Sequence, residues 1–265
     1  MLPNRLQKYL QIPKTTDDKY SRGVVGFVTG SEAYPGAALL GVTAAIRTGI
    51  GMVRYLGPES VERLVLEARP EVVCEPGRVS AWVIGSGLTA LDAQRMSLAF
   101  DSPEPKIIDA GALELCNFET IQGVAILTPH AGEAAALISR LDTQVERSLV
   151  EADPEFIALR LAMLTGHTIC LKGNVTVIAN PAFDVVSVGP NPADLATAGT
   201  GDVLAGIMGA LLAANHDDFN ATEIAQVAVL IHAEAARRLA DEGPIAALEL
   251  AGEVRHVVAD WRTTN

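Results

Sequence analysis

Short apolar runs alternate with longer amphipathic segments along almost the whole chain. Several of the short runs are apolar at consecutive positions, which is typical of strands buried on both faces. These runs predict strands at 24–30, 52–56, 71–74, 81–85, 106–110, 124–128, 168–172, 175–179 and 184–188. Apolar positions that recur every three or four residues predict helices at 34–49, 58–69, 88–100, 131–140, 154–165, 202–214, 221–241 and 245–260.

This alternation predicts the fold class, a three-layer α/β/α protein with a mostly parallel central sheet. The last three predicted strands follow one another at hairpin distance, with Gly173-Asn174 as a turn, so we expect an antiparallel edge near residues 168–188. We find no internal repeat and no segment with the composition of a linker. The expectation is therefore one domain that spans residues 1–265.

Charge and composition exclude several functions. A net charge of −12, with only short basic clusters, argues against nucleic acid as a partner. No apolar stretch is long enough to span a bilayer and the N-terminus lacks a signal-peptide pattern, so we expect a cytoplasmic protein without a membrane partner. Cys74, Cys116 and Cys170 are odd in number and far apart, which favours reduced thiols.

The chemistry is expected at the carboxyl ends of the strands, where ligands bind in open α/β sheets. The loops predicted at this edge are rich in glycine or carry a charged group or an imidazole. They read TGSEAYPGAA, IGSGLTA, IDAGAL, LTPHAGE and NPADLATAGTGD.

The last of these loops runs directly into an apolar helix. Gly199, Thr200 and Gly201 precede that helix, and its unpaired N–H groups would form an anion site that glycine leaves open to a phosphate. Asp202 either stabilises the helix start or accepts a proton from a substrate hydroxyl while phosphate is transferred. No Walker A motif occurs, so a different phosphoryl-transfer scaffold is indicated.

A second motif competes with this interpretation. Gly85, Gly87 and Ala90 fit the G-x-G-x-x-A pattern of dinucleotide-binding units, and Asp109 follows at the distance of a ribose-binding acid. Alternatively, the glycines form a tight turn and Asp109 caps the next helix. Neither possibility explains the segment around Gly199.

Six segments, taken together and in this order, resemble the ADP- or ATP-dependent NAD(P)H-hydrate dehydratases of the ribokinase-like superfamily. They are DDKYSRGVVGFVTGSEAYPGAALLGVTAAIRTGIGMV (17–53), VIGSGL (83–88), IIDAGAL (107–113), LTPHAGE (127–133), LKGNVTVIA (171–179) and NPADLATAGTGDVLAGIMGALLA (191–213). The resemblance implies repair of hydrated NADH or NADPH (NADHX, NADPHX) by phosphorylation of the ring hydroxyl and loss of phosphate. It implies Mg²⁺ as cofactor, ADP rather than ATP as co-substrate, and a homotetramer. The epimerase domain fused to some members is not expected.

The resemblance also implies roles for individual residues. Asp202 would be the catalytic base, with Gly199 and Gly201 beside the transferred phosphoryl group. The implied nucleotide contacts are Lys172, Gly173, Asn174, Val175, Thr176 and Gly201. The implied contacts to the hydrated dinucleotide are Ala38, Gly87, His130 and Asp202.

Several of these residues have simpler explanations. His130 follows Pro129 and could only cap a helix, Lys172 could be an ordinary residue at a strand end, and Glu133 is either a first-turn acid or a water-mediated Mg²⁺ ligand. The metal ligands are otherwise unknown. The other histidines are expected to be structural.

The sequence departs from the family pattern at three places. Gly111 stands where many relatives carry a second aspartate, KGNVT replaces KGAGT and HAGE replaces HPGE.

Three other functions remain open: a kinase for a thiazole- or pyridoxal-type alcohol, an NAD-dependent oxidoreductase, and a nucleotide sensor without catalysis.

Overall fold

A computed structural model of the chain describes residues 2–89 and 93–263. Eight strands form one sheet in this part of the chain, close to the predicted positions. They are β1 (Val24–Val28), β2 (Met52–Tyr55), β3 (Ala81–Ile84), β4 (Lys106–Ile108), β5 (Ala125–Leu127), β6 (Thr168–Leu171), β7 (Thr176–Ala179) and β8 (Val185–Val188).

The order across the sheet is β2-β1-β3-β4-β5-β6-β7-β8. All pairs from β2 to β6 are parallel, whereas β7 and β8 continue the sheet antiparallel. The predicted antiparallel edge is therefore confirmed. It arises because the connections within 168–188 are too short for the helical crossover that a parallel strand requires.

The helices of the described part are α1 (Pro35–Thr48), α2 (Glu59–Ala68), α3 (Ala93–Phe100), α4 (Gly111–Leu115), α5 (Ala131–Leu141), α6 (Arg147–Ala152), α7 (Pro154–Thr165), α8 (Thr200–Ala214), α9 (Ala221–Ala240) and α10 (Ala247–Thr263). Two apolar cores form because the strands are buried on both faces. Val25 and Phe27 belong to the core with α1, α8, α9 and α10, while Val24 and Val28 belong to the core with α4, α5 and α7. The predicted three-layer fold is thus confirmed.

Helix α8 packs unusually closely on its neighbours. A Cβ on Gly206 would overlap the carbonyl oxygen of Gly41 in α1, and a Cβ on Gly209 would overlap the side chain of Val83 in β3. Glycine is therefore required at both positions despite its low helix propensity. This packing holds the N-terminus of α8 at the carboxyl edge of the sheet.

The predicted strand at 71–74 is wrong. Val73 forms only an isolated parallel bridge with Arg54. Pro70 and Pro76 flank this segment and lack the N–H groups that a longer ladder needs.

Two short helices, α4 and α6, escaped sequence analysis, because so few residues show no helical period. The predicted helix 88–100 begins at Ala93 in the described part, and its residues 90–92 lie outside the described residues. Within the described chain, no helix combines the length and the apolar character needed to cross a membrane.

Candidate active site

A buried carboxylate connects the carboxyl ends of four neighbouring strands. Asp109 follows β4 and is 2% exposed. Its Oδ1 accepts hydrogen bonds from the Thr128 hydroxyl after β5 and from the Lys172 ammonium group after β6, both at 2.7 Å. Its Oδ2 accepts one from the Ser86 hydroxyl, after β3, at 2.8 Å. Parallel strands therefore bring residues far apart in sequence to one point.

Asp109 and Lys172 are both ionised. Burial raises the pKa of the Asp109 carboxyl, but the Lys172 charge and the three hydrogen bonds outweigh it, so that the pKa lies below its ordinary value. Burial lowers the pKa of Lys172, but the Asp109 and Glu133 carboxylates outweigh that effect and the pKa lies above its ordinary value. The pair is an internal ion pair at neutral pH.

These contacts, together with its 2% exposure, argue against Asp109 as a ribose-binding acid. Both of its oxygens are already hydrogen-bonded inside the protein, and the N-terminal cap of α4 is Ala110, not Asp109. Gly85 instead serves a tight turn, with a φ of 115° and no room for a Cβ beside the Asp109 carbonyl. Ala90, the last residue of the motif, lies outside the described residues.

Close packing also explains the departure at position 111. A Cβ on Gly111 would overlap the carbonyl oxygen of Leu88. This chain therefore cannot carry an aspartate there without moving its backbone.

The N-terminus of α8 lies beside this ion pair. Its N-cap, Gly199, has a φ of 90° and supplies no side-chain cap. Within the described chain, the N–H groups of Gly201 and Asp202 find no hydrogen-bond acceptor. They form the open, partly positive helix end that the sequence predicts, which suits an anion.

Asp202 lies in the first turn of this helix, and its carboxylate has a raised pKa. Burial, followed by the negative charge of Asp109, raises its pKa to about 6, although the Ser86 hydroxyl and the Lys172 charge oppose the shift. The N-cap of α8 is Gly199 and no backbone N–H bond to the Asp202 carboxylate is found in the described residues, so Asp202 is a first-turn acid and not a helix cap. At neutral pH most of it is ionised and able to accept a proton.

A cavity of about 700 Å³ opens beside Lys172 and the start of α8. Five of the six residues that sequence analysis assigned to the nucleotide line it: Lys172, Gly173, Asn174, Thr176 and Gly201. The side chain of Val175 is exposed and does not line it.

One polar side chain orders the turn at the edge of this cavity. The amide nitrogen of Asn191 donates to the carbonyl oxygen of Gly173 at 3.1 Å and to the Thr176 hydroxyl at 3.2 Å. The turn between β6 and β7 is thus held in place from the loop that leads to α8.

His232, expected from the sequence to be structural like the other remaining histidines, also lines the cavity. Its Nε2 lies 2.8 Å from the Thr200 carbonyl oxygen, and burial lowers its pKa to about 4. The imidazole is therefore neutral and fixes the first turn of α8. An isolated histidine in the apolar sequence VAVLIHAEAA was the available signal, but its position relative to α8 depends on the tertiary fold.

His130 has the capping role that sequence analysis held open. Its Nδ1 accepts hydrogen bonds from the N–H groups of Gly132 and Glu133, at 3.0 and 3.2 Å. The Glu133 carboxylate in turn accepts from the His130 N–H at 2.7 Å, which completes a capping box. The His130 side chain is 60% exposed and lines the cavity, so capping leaves it accessible to a ligand.

Ala38 and Gly87 both lie near the start of α1 and are not among the residues that line the cavity. Gly87 has a φ of 70° and a Cβ there would come within 2.8 Å of the Ala37 Cβ at the start of α1. Ala38 is completely buried, beneath Gly30, whose N–H donates to the Ser86 carbonyl oxygen at 2.7 Å. Ala38 therefore offers a ligand only its small size.

The described residues contain no group of three or more histidine, cysteine, aspartate or glutamate side chains that could hold a metal ion. A divalent ion would have to take most of its ligands from a bound phosphate and water, as Mg²⁺ commonly does. Glu133, whose carboxylate accepts from the N–H of cavity-lining His130, is a carboxylate that could contribute through water.

Comparison with known proteins identifies the family. The model of the NAD(P)H-hydrate dehydratase family matches residues 25–254. The chain is 42% identical over 215 residues to a bifunctional NAD(P)H-hydrate repair enzyme from Mycobacterium tuberculosis, which covers 76% of this chain and 43% of that protein. It is 32% identical to an ADP-dependent (S)-NAD(P)H-hydrate dehydratase from Neisseria meningitidis, over 88% of this chain and 82% of that protein.

A solved structure gives the same result. The chain is similar to an ADP/ATP-dependent NAD(P)H-hydrate dehydratase from Bacillus subtilis, co-crystallised with ATP and Mg²⁺, with a TM-score of 0.85 and 28% identity. The match covers 97% of this chain and 96% of that one, and it confirms the ribokinase-like fold expected from the sequence. The chain spans less than half of the bifunctional Mycobacterium relative.

Proposed function

Since the chain belongs to the NAD(P)H-hydrate dehydratase family, we propose that it converts hydrated NADH and NADPH back to NADH and NADPH at the expense of an adenine nucleotide. The observation that carries this proposal is the position of Asp202. Its carboxylate lies in the first turn of α8, directly after Gly201, which lines the cavity, and hydrogen-bonds with the Ser86 hydroxyl.

The nucleotide would occupy the cavity beside Lys172, with its terminal phosphate at the N–H groups of Gly201 and Asp202. The hydrated ring would lie towards Ala38 and Gly87, with its hydroxyl facing Asp202. His130 would contact the same substrate from the opposite rim. We propose ADP as the preferred nucleotide, because the Neisseria relative is ADP-dependent.

Asp202 would accept the proton of the ring hydroxyl as that oxygen forms a bond to the terminal phosphorus. The bond between this phosphorus and the bridging oxygen of the nucleotide breaks in the same transfer. The N–H groups at the start of α8 would stabilise the charge on the transferred group. The carbon–oxygen bond then breaks with loss of phosphate, while the neighbouring carbon loses a proton and the ring double bond re-forms. With ADP, the products are NADH or NADPH, AMP and phosphate.

Glu133, through water, would hold Mg²⁺ on the protein side, and the ion would neutralise phosphate charge when bound. Asp202 stays free of the metal and available as the base. The Lys172–Asp109 ion pair would keep both loops in place during the reaction.

The test uses NADH hydrated in acid, incubated with the purified protein, Mg²⁺ and either ADP or ATP. We expect the absorbance of reduced nicotinamide to return, with one AMP and one phosphate released per NADH formed from ADP. The variant D202N should not support recovery. Accumulation of a phosphorylated alcohol without release of phosphate would instead indicate a small-molecule kinase.

We further propose that the protein is a cytoplasmic homotetramer. The described cysteines are unpaired, as expected in a reducing compartment. Phe156, Met163 and Phe183 are more than half exposed in a single chain, which suits burial between subunits. Light scattering coupled to size-exclusion chromatography tests this assembly, and a monomer at micromolar concentration would contradict it.

A further inference from the structure

The charged groups around the 700 Å³ cavity differ from those of the protein as a whole. The chain carries 32 acidic and 20 basic residues, yet no carboxylate is among the described residues that line this cavity. Its permanent cations in that part of the chain are Lys172 and Arg147. The lining therefore suits an anionic ligand despite the acidic surface elsewhere.

Lys172 adds little net positive charge to the cavity. Its ammonium group is 2.7 Å from the ionised Asp109 carboxylate, and both side chains are largely buried. Seen from the cavity, this pair is close to neutral. It can donate hydrogen bonds to a ligand, but it offsets little of the charge on a polyphosphate.

Arg147 differs from Lys172 because its ion-pair partner, Glu151, is exposed and can be replaced by a ligand. It is the first residue of α6, and its Nε lies 2.7 Å from the Glu151 carboxylate one turn later. The two side chains are 71% and 52% exposed, so water screens the pair and it contributes little to stability. A guanidinium group also binds phosphate in bidentate fashion, which an ammonium group cannot do.

We propose that Arg147 binds the polyphosphate of the nucleotide by leaving Glu151 when the ligand enters. This inference rests on the proposed function, because it takes the cavity as the adenine-nucleotide site. Arg147 then supplies a positive charge that is free to pair with the phosphates, which Lys172 cannot do. The affinity of the protein for the nucleotide therefore depends on the phosphates more than on the adenosine.

The experiment is isothermal titration of the wild type, R147Q and E151Q with MgADP and with adenosine. We expect R147Q to bind ADP about tenfold more weakly at low salt, because one charge-assisted contact is lost, and to bind adenosine as the wild type does. E151Q, the matched control, should bind ADP at least as tightly as the wild type, because Arg147 has no competing partner. The ADP affinity of the wild type should also fall more steeply with salt than that of R147Q.

Equal ADP affinities for the wild type and R147Q at low salt would overturn the role of Arg147 and leave the proposed function intact. Equal losses of ADP and adenosine binding in R147Q would also overturn it, because they would indicate a change in fold rather than a lost phosphate contact. If the wild type bound neither MgADP nor MgATP, titrated in the same way, the proposed function itself would fail, and this inference with it. R147K should recover part of the lost affinity.

Discussion

The Lys172 ammonium group lies 2.7 Å from the Asp109 carboxylate and so joins the carboxyl ends of β6 and β4 across the intervening β5. These residues are 63 positions apart in the sequence. Thr128, at the end of β5, donates to the same carboxylate oxygen. The three loops are therefore held together before any ligand binds, and the negative charge of Asp109 raises the pKa of Asp202.

The variant D109N tests this arrangement. It leaves Lys172 buried without a counter-ion, so the free energy of unfolding should fall by about 3 kcal/mol in urea denaturation. Removal of the negative charge should also lower the pKa of Asp202, so that the acid limb of kcat/KM moves below pH 6. T128V, which removes a hydrogen bond but no charge, is the control and should leave the acid limb in place. An unchanged acid limb in D109N would show that Asp109 does not influence Asp202.

Ionised Asp202 should destabilise the folded, ligand-free protein. Its pKa is raised from 3.8 to about 6, so the ionised form is less favourable in the folded than in the unfolded chain. The cost is absent below pH 3.8, grows up to about pH 6 and is complete above it. D202N should therefore stabilise the ligand-free protein at pH 7.5 by on the order of 1–3 kcal/mol and abolish turnover.

Denaturation of the wild type and D202N at pH 7.5 and pH 4 measures this difference. The gain in stability should disappear at the lower pH. A D202N variant that is no more stable than the wild type at pH 7.5 would mean that Asp202 is well solvated or well compensated in the free protein.

The two glycines at the start of α8 should respond differently to alanine. A Cβ on Gly201 would lie 3.6 Å from the Lys172 Nζ, an ordinary contact, so the fold has room for it and G201A should be as stable as the wild type or slightly more so. Nucleotide affinity should nevertheless fall, because the Cβ would occupy the space beside the open helix end.

G199A is the comparison. Gly199 has a φ of 90° and a Cβ there would come within 2.5 Å of Leu40, so we expect a loss of about 1–2 kcal/mol of stability. Thermal unfolding and titration with MgADP separate the two effects. If G201A bound ADP as the wild type does, the phosphate would not approach the helix at this point.

Two substitutions at His130 separate its role as a cap from contact with a ligand. H130A removes the acceptor for the N–H groups of Gly132 and Glu133 and should cost about 1 kcal/mol of stability. H130N retains a good N-cap and should keep most of the stability, but it removes the exposed imidazole.

A higher KM of H130N for the hydrated dinucleotide, with unfolding close to that of the wild type, would support contact with the substrate. Unchanged kinetics in H130N, together with a less stable H130A, would limit His130 to capping α5.

The layered fold was predictable because its signals are local. Strands buried on both faces and amphipathic helices leave their periods in the sequence, and Gly173-Asn174 indicated the antiparallel edge. The segment 71–74 was misleading because two valines resemble a strand, whereas pairing also depends on the prolines around them. The short α6 was missed, and Arg147 with it.

The sequence by itself determined the three-layer class and an open helix end with Asp202 in its first turn, because these depend on neighbours within a few residues. It also determined the family, because six segments carry the family's motifs in order. Only the tertiary structure decided that Lys172 is neutralised by Asp109, that Asp202 has a raised pKa, and that His232 reaches the first turn of α8. The reason is physical. The charge and reach of a side chain depend on burial and on groups that the fold brings close from distant parts of the chain.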